Sequence, residues 1–281
     1  MELNQLDCGK LEAFAAHLRR EEHSAGTIDN YLRHVRAFSA WLGGAAVTKE
    51  STAAWKEYLS AKDLSPGTVN AMLVSLNRFL AFQGWESCRV KTLRIQRRLF
   101  REEGRELTRA EYDRLTAAAR RAVKGRLALL MEAICATGIR VSEVKYLTVE
   151  AAERGRAEIS LKGKIRTILI PSKLRRKLLN FAKQQKTVSG EIFLTRNGKG
   201  LGRRQIWAEM KALCAAAGVA PSKVFPHNLR HLFARTFYQV CRDVVRLADV
   251  LGHSSIETTR IYLISTGAEH ARQLERLRLI N

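Results

Sequence analysis

The sequence lacks the residue clusters that metal and nucleotide sites require. Its five cysteines are scattered without a Cys-x-x-Cys pair: Cys8, Cys88, Cys135, Cys214 and Cys241. An odd number of unclustered cysteines is typical of reduced thiols inside a cell. The sequence also has no carboxylate cluster suited to magnesium and no glycine-rich phosphate loop. We therefore expect neither a metal nor a cofactor.

Long apolar runs are absent as well. No stretch approaches the length of about 18 apolar residues that a membrane-spanning helix needs. The first residues, MELNQLDCGK, lack the apolar segment of a secretory signal. We expect a cytoplasmic protein that is neither secreted nor inserted in a membrane.

Acidic residues are too few to balance the basic ones. The chain has 27 Asp and Glu against 49 Lys and Arg, which leaves a net charge of +22 and a sequence pI near 10.4. A polyanion is the natural partner for such a charge, because each neutralised phosphate releases condensed counterions. A ribosomal or membrane-surface protein can carry the same excess, but a nucleic acid is the favoured partner.

Residues 1–86 are predicted to form a helical domain. Apolar residues recur at helical spacing, and SAGTIDNYLRHVRAFSAWLGG from Ser24 matches SPGTVNAMLVSLNRFLAFQG from Ser65. Ser24 or Thr27 is a suitable N-cap in the first copy, and their counterparts serve in the second. The copies are separated by a helix around Trp55, which indicates a four-helix unit.

Residues 87–106 are predicted to form a basic linker. The segment RVKTLRIQRRLFR, Arg89–Arg101, has six basic residues and no acidic one. Such a run is either a solvated connection or a linker that lies along a phosphate backbone between two DNA-binding domains. The second interpretation is favoured, with DNA contacts from Arg89, Lys91, Arg94, Arg97, Arg98 and Arg101.

A second domain is predicted over residues 107–281. It opens on a capping box, Thr108-x-x-Glu111, ahead of a helix. Two strand-like runs, Ala157–Leu161 and Ile165–Ile170, flank a Lys-Gly-Lys turn and predict a hairpin. The remaining pattern is helical. The expected fold class is therefore mainly α with a small β-sheet, a helical domain followed by an α+β domain.

Four short segments of the second domain concentrate residues suited to phosphate chemistry. ATGIRVSEVKYL contains Arg140, and a Lys-Gly-Lys turn follows it. PHNLRHLFARTF contains His227 and Arg230, three residues apart and hence on one face of a helix. LGHSSIETTRIYL contains His253 and, nine residues later, Tyr262. Each residue alone has an ordinary structural role, but their joint occurrence indicates a shared site.

In order and spacing these segments resemble the tyrosine recombinase family, the lambda-integrase type that includes the Xer recombinases. ATGIRVSE resembles the family's first arginine box, HNLRHLFA its His-x-x-Arg box, and LGHSSIETTRIY the box with the second histidine and the nucleophilic tyrosine. The N-terminal repeat is similar to the family's helical, SAM-like core-binding domain. The resemblance covers nearly the whole chain. It is to the short, Xer-like members of the family, so we do not expect the arm-binding domain that larger phage integrases carry.

The resemblance implies a site-specific DNA recombinase. Tyr262 would attack a phosphodiester and form a 3′-phosphotyrosyl bond, while Arg140 and Arg230 bind the scissile phosphate. His227 would act as acid or base, and His253 would donate a hydrogen bond. The two domains would close round double-stranded DNA as a C-shaped clamp at the nucleoid. Four protomers would act on two duplexes, with Tyr262 serving its own pocket or a neighbour's.

The predicted hairpin departs from the family pattern Gly-Lys-Gly-x-Lys-x-Arg. Leu161 stands in place of the first glycine, and the turn is one residue shorter. We assign the general acid, which protonates the leaving 5′-oxygen, to Lys162, with Lys164 as the alternative. Lys164 and Arg166 are otherwise expected to contact DNA. His231 is expected to point away from the site.

The tail GAEHARQLERLRLIN has apolar residues at helical spacing: Leu274, Leu277 and Ile280. This pattern predicts an amphipathic helix. The helix either folds back on its own core or docks into a neighbouring protomer.

Elementary chemistry agrees with this interpretation. A phenol with a pKa near 10 is a poor nucleophile unless a base and a cationic field assist it. A phosphoryl transition state spreads negative charge over oxygens that guanidinium groups bind bidentately. Two arginines and a lysine can therefore replace a divalent metal, and the covalent intermediate conserves bond energy without ATP.

Two related functions use similar residues. A catalytically silent DNA-binding relative predicts a damaged Arg, His or Tyr, and every one of these residues is intact. A type IB topoisomerase shares the chemistry, but the helical repeat and the compact length argue against it. The recombinase is therefore the favoured function.

Overall fold

The chain divides into two compact units, residues 1–97 and 98–281. The computed structural model describes residues 4–95, 104–122, 124–161, 164–262 and 275–276, with the backbone alone at positions 161 and 164. None of the helices in these ranges is long and apolar enough to cross a lipid bilayer.

The first unit is a set of four helices, as the repeat predicts. Ser24 and Ser65 each accept the backbone N–H three residues ahead, so both copies of the repeat begin with the same cap. The side chain of each serine also bonds the hydroxyl of the following threonine at 2.8 Å. The elements are α1 (Cys8–Arg20), α2 (Ala25–Leu42), α3 (Lys49–Ala61), α4 (Pro66–Phe82) and a 3-10 turn (Glu86–Cys88).

Aromatic side chains fill the core of this unit. Phe14 and Phe79 lie edge to face with ring centroids 5.3 Å apart, and both are fully buried. Phe38 packs edge to face on Trp55 at 5.7 Å. These pairs join α1 to α4 and α2 to α3, so each helix of the unit contributes an apolar face to the core.

Two asparagines on α4 bind the segment that follows the helical unit. The Asn77 side chain accepts the Val90 N–H at 3.0 Å and donates to the Val90 carbonyl at 2.7 Å. Asn70 does the same to Leu93, at 2.7 and 2.9 Å. Seven residues of helix and three of extended chain both span about 10 Å, so the two sets of bonds form in register. The start of the basic segment is therefore part of the first unit.

The second unit is mostly helical, and the predicted capping box of Thr108 and Glu111 is confirmed at its first helix. Its helices are α5 (Arg109–Arg121), α6 (Gly125–Thr137), α7 (Val149–Arg154), α8 (Ser172–Gln184), α9 (Arg203–Lys211), α10 (Cys214–Ala217), α11 (Pro226–Cys241), α12 (Val244–Leu251) and α13 (Ile256–Arg260). Two 3-10 helices, Val141–Tyr146 and Pro221–Lys223, connect them. The central helix α6 is buried along most of its length, and α11 packs across it.

The predicted hairpin is present as a two-stranded antiparallel sheet. It consists of β1 (Arg156–Leu161) and β2 (Lys164–Leu169), in a register that pairs Leu161 with Lys164. Ile168 faces the core, whereas Ile165 and Leu169 are exposed on the outer face. Because side chains alternate along a strand, Arg166 points inward on the same side as Ile168.

Candidate active site

A buried arginine lies at the centre of the candidate site. Arg230, on α11, has only 1% of its surface exposed. Its guanidinium donates through Nη1 to the carbonyl of Gly138 and through Nη2 to the carbonyl of Leu251 at 2.7 Å. The same Nη2 lies 3.0 Å from His253 Nε2. These carbonyls lie at the C-terminal ends of α6 and α12, where the helix dipoles favour a cation.

Glycine is required where these two helices end. Gly138 and Gly252 both adopt left-handed backbone conformations, with φ of +66° and +63°. A Cβ atom on Gly138 would lie 2.4 Å from Phe233 Cδ1, and one on Gly252 would lie 2.4 Å from Arg166 Cδ. The two turns therefore leave room for the side chains that pack against the site.

Arg140 follows the turn after α6 and starts the 3-10 helix Val141–Tyr146. Its backbone N–H donates to Glu143 Oε2 at 2.7 Å, and its Nη1 donates to Glu143 Oε1 at 2.9 Å. Its Nη2 also reaches the Gly252 carbonyl at 3.5 Å. The Arg140 side chain is still 41% exposed. It is therefore oriented by its neighbours but open to a ligand.

Glu143 is a site residue that sequence reasoning did not single out. It is 1% exposed and forms ion pairs with both Arg140 and Arg166. The spacing Arg-x-x-Glu was visible in the sequence, but the contact with Arg166 depends on the hairpin. One buried carboxylate thus partly neutralises a group of guanidinium ions.

Arg166, predicted as a DNA contact, is the second arginine that pairs with Glu143. Its side chain is 14% exposed, pairs with Glu143 and donates to the Val250 carbonyl at 3.2 Å. Burial lowers the pKa of Arg166, and the charge of Glu143 opposes that shift. The structure therefore links the hairpin to the end of α12.

His253 and Tyr262 come together as the motif suggested, but Tyr262 does not lie on the intervening helix. Helix α13, capped by Ser255, ends at Arg260, and Tyr262 follows in a turn. His253 Nδ1 lies 2.8 Å from the hydroxyl of Thr259, which fixes the histidine ring against α13. The Tyr262 ring is 4% exposed and nearly parallel to that of His253, with centroids 5.8 Å apart.

The prediction that His231 points away from the site is wrong. Its ring lies edge to face against Tyr262 with centroids 4.6 Å apart, and against His227 at 4.5 Å. His231 directly follows Arg230 on the helix, so its side chain was expected to point in a different direction from that of Arg230. The turn after α13 brings Tyr262 round to that side of α11, and no helical periodicity reveals such a turn.

Cations surround both predicted histidines and lower their pKa values. Burial, followed by His231, Arg230 and Arg140, lowers the pKa of His227 to about 4. Burial and then Arg230, Arg140 and Arg166 lower the pKa of His253 to about 4. His227 is nevertheless exposed to solvent. Both imidazoles are neutral near pH 7.

A cavity of about 410 Å³ opens in front of these residues. Arg140, His227 and Arg230 line this cavity, together with the exposed Arg203 and Trp207 of α9. Its lining is strongly cationic, which suits an anionic ligand. Among the described residues, no group of three or more His, Cys, Asp or Glu could hold a metal ion.

The remaining predicted residues lie either in the first unit or outside the described residues. Lys162 lies outside the described residues, and so does the side chain of Lys164. Arg97, Arg98 and Arg101 also lie outside them, and so do Leu274, Leu277 and Ile280 of the predicted terminal helix. In the first unit Arg89 pairs with Glu86 at 2.7 Å, and Lys91 and Arg94 are exposed.

Two family models match the chain. Residues 105–269 match the phage integrase family, and residues 11–87 match the phage integrase N-terminal SAM-like domain. The chain belongs to the phage integrase family. The resemblance inferred from the motifs is thereby confirmed, and the SAM-like assignment of the first domain with it.

Several phage integrase relatives span nearly the whole chain. The tyrosine recombinase XerA of Pyrococcus furiosus is 28% identical over 280 residues, covering 96% of this chain and 94% of that protein. The Tn1549 transposon integrase, solved with transposon right end DNA, has a TM-score of 0.72 at 19% identity and covers 95% of this chain and 99% of that one. A lambda integrase dimer bound to a COC′ core site has a TM-score of 0.72 at 18% identity, covering 92% and 95%. The fold is therefore shared.

The first prediction for this phage integrase concerns the buried carboxylate. Glu143→Gln should destabilise the second unit by about 3 kcal/mol, because it leaves Arg140 and Arg166 without their counter-charge. Urea unfolding followed by circular dichroism measures the change. Glu158→Gln is the matched control, since Glu158 lies on the exposed face of β1 and only approaches Arg156 at 3.9 Å. Equal stability of the two variants would contradict the role assigned to Glu143.

The second prediction concerns pH. The folded pKa values of about 4 for His227 and His253 lie below the ordinary value of 6.5, so the unfolded chain binds more protons between these limits. Stability should therefore fall as the pH is lowered from about 6.5 to about 4. The double variant His227→Gln, His253→Gln should lose less stability over this interval. The test is to measure the melting temperatures of the wild type and the double variant across this pH interval. If both melting temperatures fell equally as the pH was lowered, the lowered pKa values would be disproved.

Proposed function

We propose that this phage integrase is a site-specific tyrosine recombinase, which cleaves and rejoins DNA through a 3′-phosphotyrosyl bond. The observation that carries the proposal is the packing of Tyr262 against His253, which in turn contacts Arg230. Their rings are stacked, and the His253 Nε2 atom lies 3.0 Å from the Arg230 guanidinium. A potential nucleophile and a fixed cation thus belong to one chain and one site.

In the proposed reaction the Tyr262 oxygen attacks the scissile phosphorus as the bond to the 5′-oxygen breaks. The two arginines bind the non-bridging oxygens, on which negative charge accumulates. Arg230 is suited to this role because three partners hold it before any ligand arrives. Arg140 is suited because it lines the cavity and its side chain remains 41% exposed. Rejoining reverses the steps, with a 5′-hydroxyl attacking the phosphotyrosine.

The lowered pKa values keep both histidines neutral near pH 7, as a proton acceptor must be. A neutral imidazole can accept the phenol proton, whereas a protonated one cannot. His227, which is exposed, is the proposed base. His253 is the proposed hydrogen-bond donor to a phosphate oxygen, a role in which its Nε2 atom would exchange the contact with Arg230 for one with the phosphate. A bound phosphate would also raise both pKa values, since an anion favours the charged form of a base. A proton taken from Tyr262 is then held more firmly.

We infer that the reaction needs neither a metal ion nor ATP. Arg140 and Arg230 already supply positive charge where a divalent ion would act. The covalent bond to Tyr262 keeps the energy of the broken phosphodiester, so rejoining needs no other source. Lys162 is the proposed acid for the 5′-oxygen, and Lys164 is the alternative, because both belong to the short Lys-Gly-Lys segment of the sequence.

DNA binding is proposed to involve both domains. Residues 1–86 and 107–281 would both contact the duplex, with residues 87–106 between them in the chain. Exposure of Lys91 and Arg94 supports a phosphate-binding role for the basic segment. The Tn1549 integrase and lambda integrase structures contain DNA. Recombination would require four protomers on two duplexes, and an enzyme with this substrate is expected at the nucleoid.

Covalent trapping tests the proposal. The protein, without metal or ATP, is incubated with a nicked suicide duplex drawn from DNA that flanks its gene. The wild type should give a denaturant-resistant protein–DNA band that maps to Tyr262. Tyr262→Phe should bind the duplex equally and give no band, because it lacks the nucleophilic oxygen.

Tyr238→Phe is the matched control for this experiment, since Tyr238 packs in the same apolar cluster as Tyr262. It should form the covalent band normally. A band that persists in Tyr262→Phe would contradict the nucleophile assignment. Tight binding of the wild type without any band would favour a catalytically silent relative.

The lysine assignment has its own test. Lys162→Ala should cleave an ordinary duplex at least 100-fold more slowly, which is the usual contribution of general acid catalysis. A duplex with a 5′-bridging sulfur has a leaving group that needs no proton, so it should restore the cleavage rate. Lys164→Ala is examined alongside; rescue of Lys164→Ala alone would transfer the role to Lys164.

A further inference from the structure

His231 lies between the candidate nucleophile and an acidic side chain. One side of its ring contacts Tyr262, with centroids 4.6 Å apart and the planes at 76°. On another side its Nδ1 atom lies 3.7 Å from Glu106 Oε1. The side chains of His231 and Glu106 are each 16% exposed, so neither is free to swing into solvent. Tyr262 and Glu106 are thus connected through a single imidazole.

Glu106 is itself held in place by α11. Asn228, His231 and Arg235 recur at helical spacing, so they form one stripe of the helix. Asn228 donates to the Arg105 carbonyl at 2.8 Å, and Arg235 donates to the Leu107 carbonyl at 2.7 Å. Arg235 also pairs with the Glu106 carboxylate at 2.5 Å. The segment 105–107, where the chain enters the second unit, is therefore bound along the helix that carries His227 and Arg230.

We propose that Glu106 and His231 are positioning residues for Tyr262. The fixed carboxylate attracts the Nδ1 side of His231, and the oriented ring then limits the directions open to the Tyr262 ring. Tyr262 is thereby kept parallel to His253 and beside Arg230. The proposal rests on the proposed function, because it assigns the pair to the tyrosine that forms the phosphotyrosyl bond.

This geometry is better suited to orientation than to proton transfer. His231 meets Tyr262 edge to face, and its Nδ1 atom lies 3.7 Å from Glu106 Oε1, which is beyond hydrogen-bond distance. An edge-to-face aromatic contact fixes the angle between two rings. Since misplacement of a reacting group by about 1 Å can cost up to 100-fold in rate, a small rotation of Tyr262 would be felt in the chemical step.

The first arm of the test observes Tyr262 directly and needs no activity. The full chain is labelled with 3-fluorotyrosine, and the fluorine resonance of Tyr262 is assigned by its absence from Tyr262→Phe. Glu106→Gln and His231→Ala should both shift or broaden this resonance. Glu111→Gln is the matched control: Glu111 is 14% exposed and pairs with Lys223 at 2.8 Å, away from Tyr262. An unchanged Tyr262 resonance in Glu106→Gln would overturn the proposal.

The second arm measures covalent-complex formation at saturating DNA. Glu106→Gln should slow this step about 10-fold while its DNA affinity stays the same, and Glu111→Gln should not slow it. His231→Phe keeps a ring against Tyr262 and should be faster than His231→Ala. Combining Glu106→Gln with His231→Ala should be no slower than His231→Ala alone, since the carboxylate acts through the imidazole. If the two rate effects multiplied in the double variant, or if Glu106→Gln weakened only DNA affinity, the proposal would be overturned.

The two arms separate this proposal from the proposed function. If the wild type forms no covalent complex, the recombinase proposal fails, and the fluorine resonance alone decides whether Glu106 and His231 orient Tyr262. If the wild type reacts but the resonance and rate are insensitive to Glu106, the recombinase proposal stands and the positioning role is rejected.

Discussion

The second unit depends on one buried cation, the guanidinium of Arg230. A charge this far from water is unfavourable unless hydrogen bonds and opposite partial charges surround it. Here the ends of α6 and α12 supply the carbonyls of Gly138 and Leu251, and His253 supplies a ring nitrogen. Because these groups come from separate elements, satisfying Arg230 fixes α6, α11 and α12 relative to one another. The geometry that stabilises the charge also assembles the site.

The same arrangement produces a local excess of positive charge. Arg140, Arg166 and Arg230 are close enough to lower the pKa of His253, while Glu143 is the carboxylate that pairs with two of them. Repulsion among the cations is relieved when an anion enters the cavity. The charges that would bind a phosphate are therefore already assembled, and the proposed binding needs no large rearrangement of the arginines.

Sequence reasoning recovered what local chemistry determines. Ser24 and Ser65, each one of two candidates for its cap, the helix that carries His227 and Arg230, and the hairpin all follow from neighbouring residues. The turn that carries Tyr262 past α13, the contact of His231 with it and the pairing of Glu143 with Arg166 were not predicted. Each of these joins elements far apart in the chain, and side-chain periodicity reports only on the element to which it belongs. Motif order indicated which residues meet, but not the contacts that orient them.

The contacts of Asn70 and Asn77 bear on how the chain could be dissected into separately folding pieces. The matched N-terminal domain ends at residue 87, but the backbone of Val90 and Leu93 completes the hydrogen bonding of both asparagines. A fragment ending at residue 87 would leave two amide side chains on α4 without these partners. At the other boundary, Arg105 is bonded to Asn228 of α11 and belongs with the catalytic piece. A cut between residues 95 and 105 spares both sets of bonds, and each piece then keeps the segment that its own helices bind.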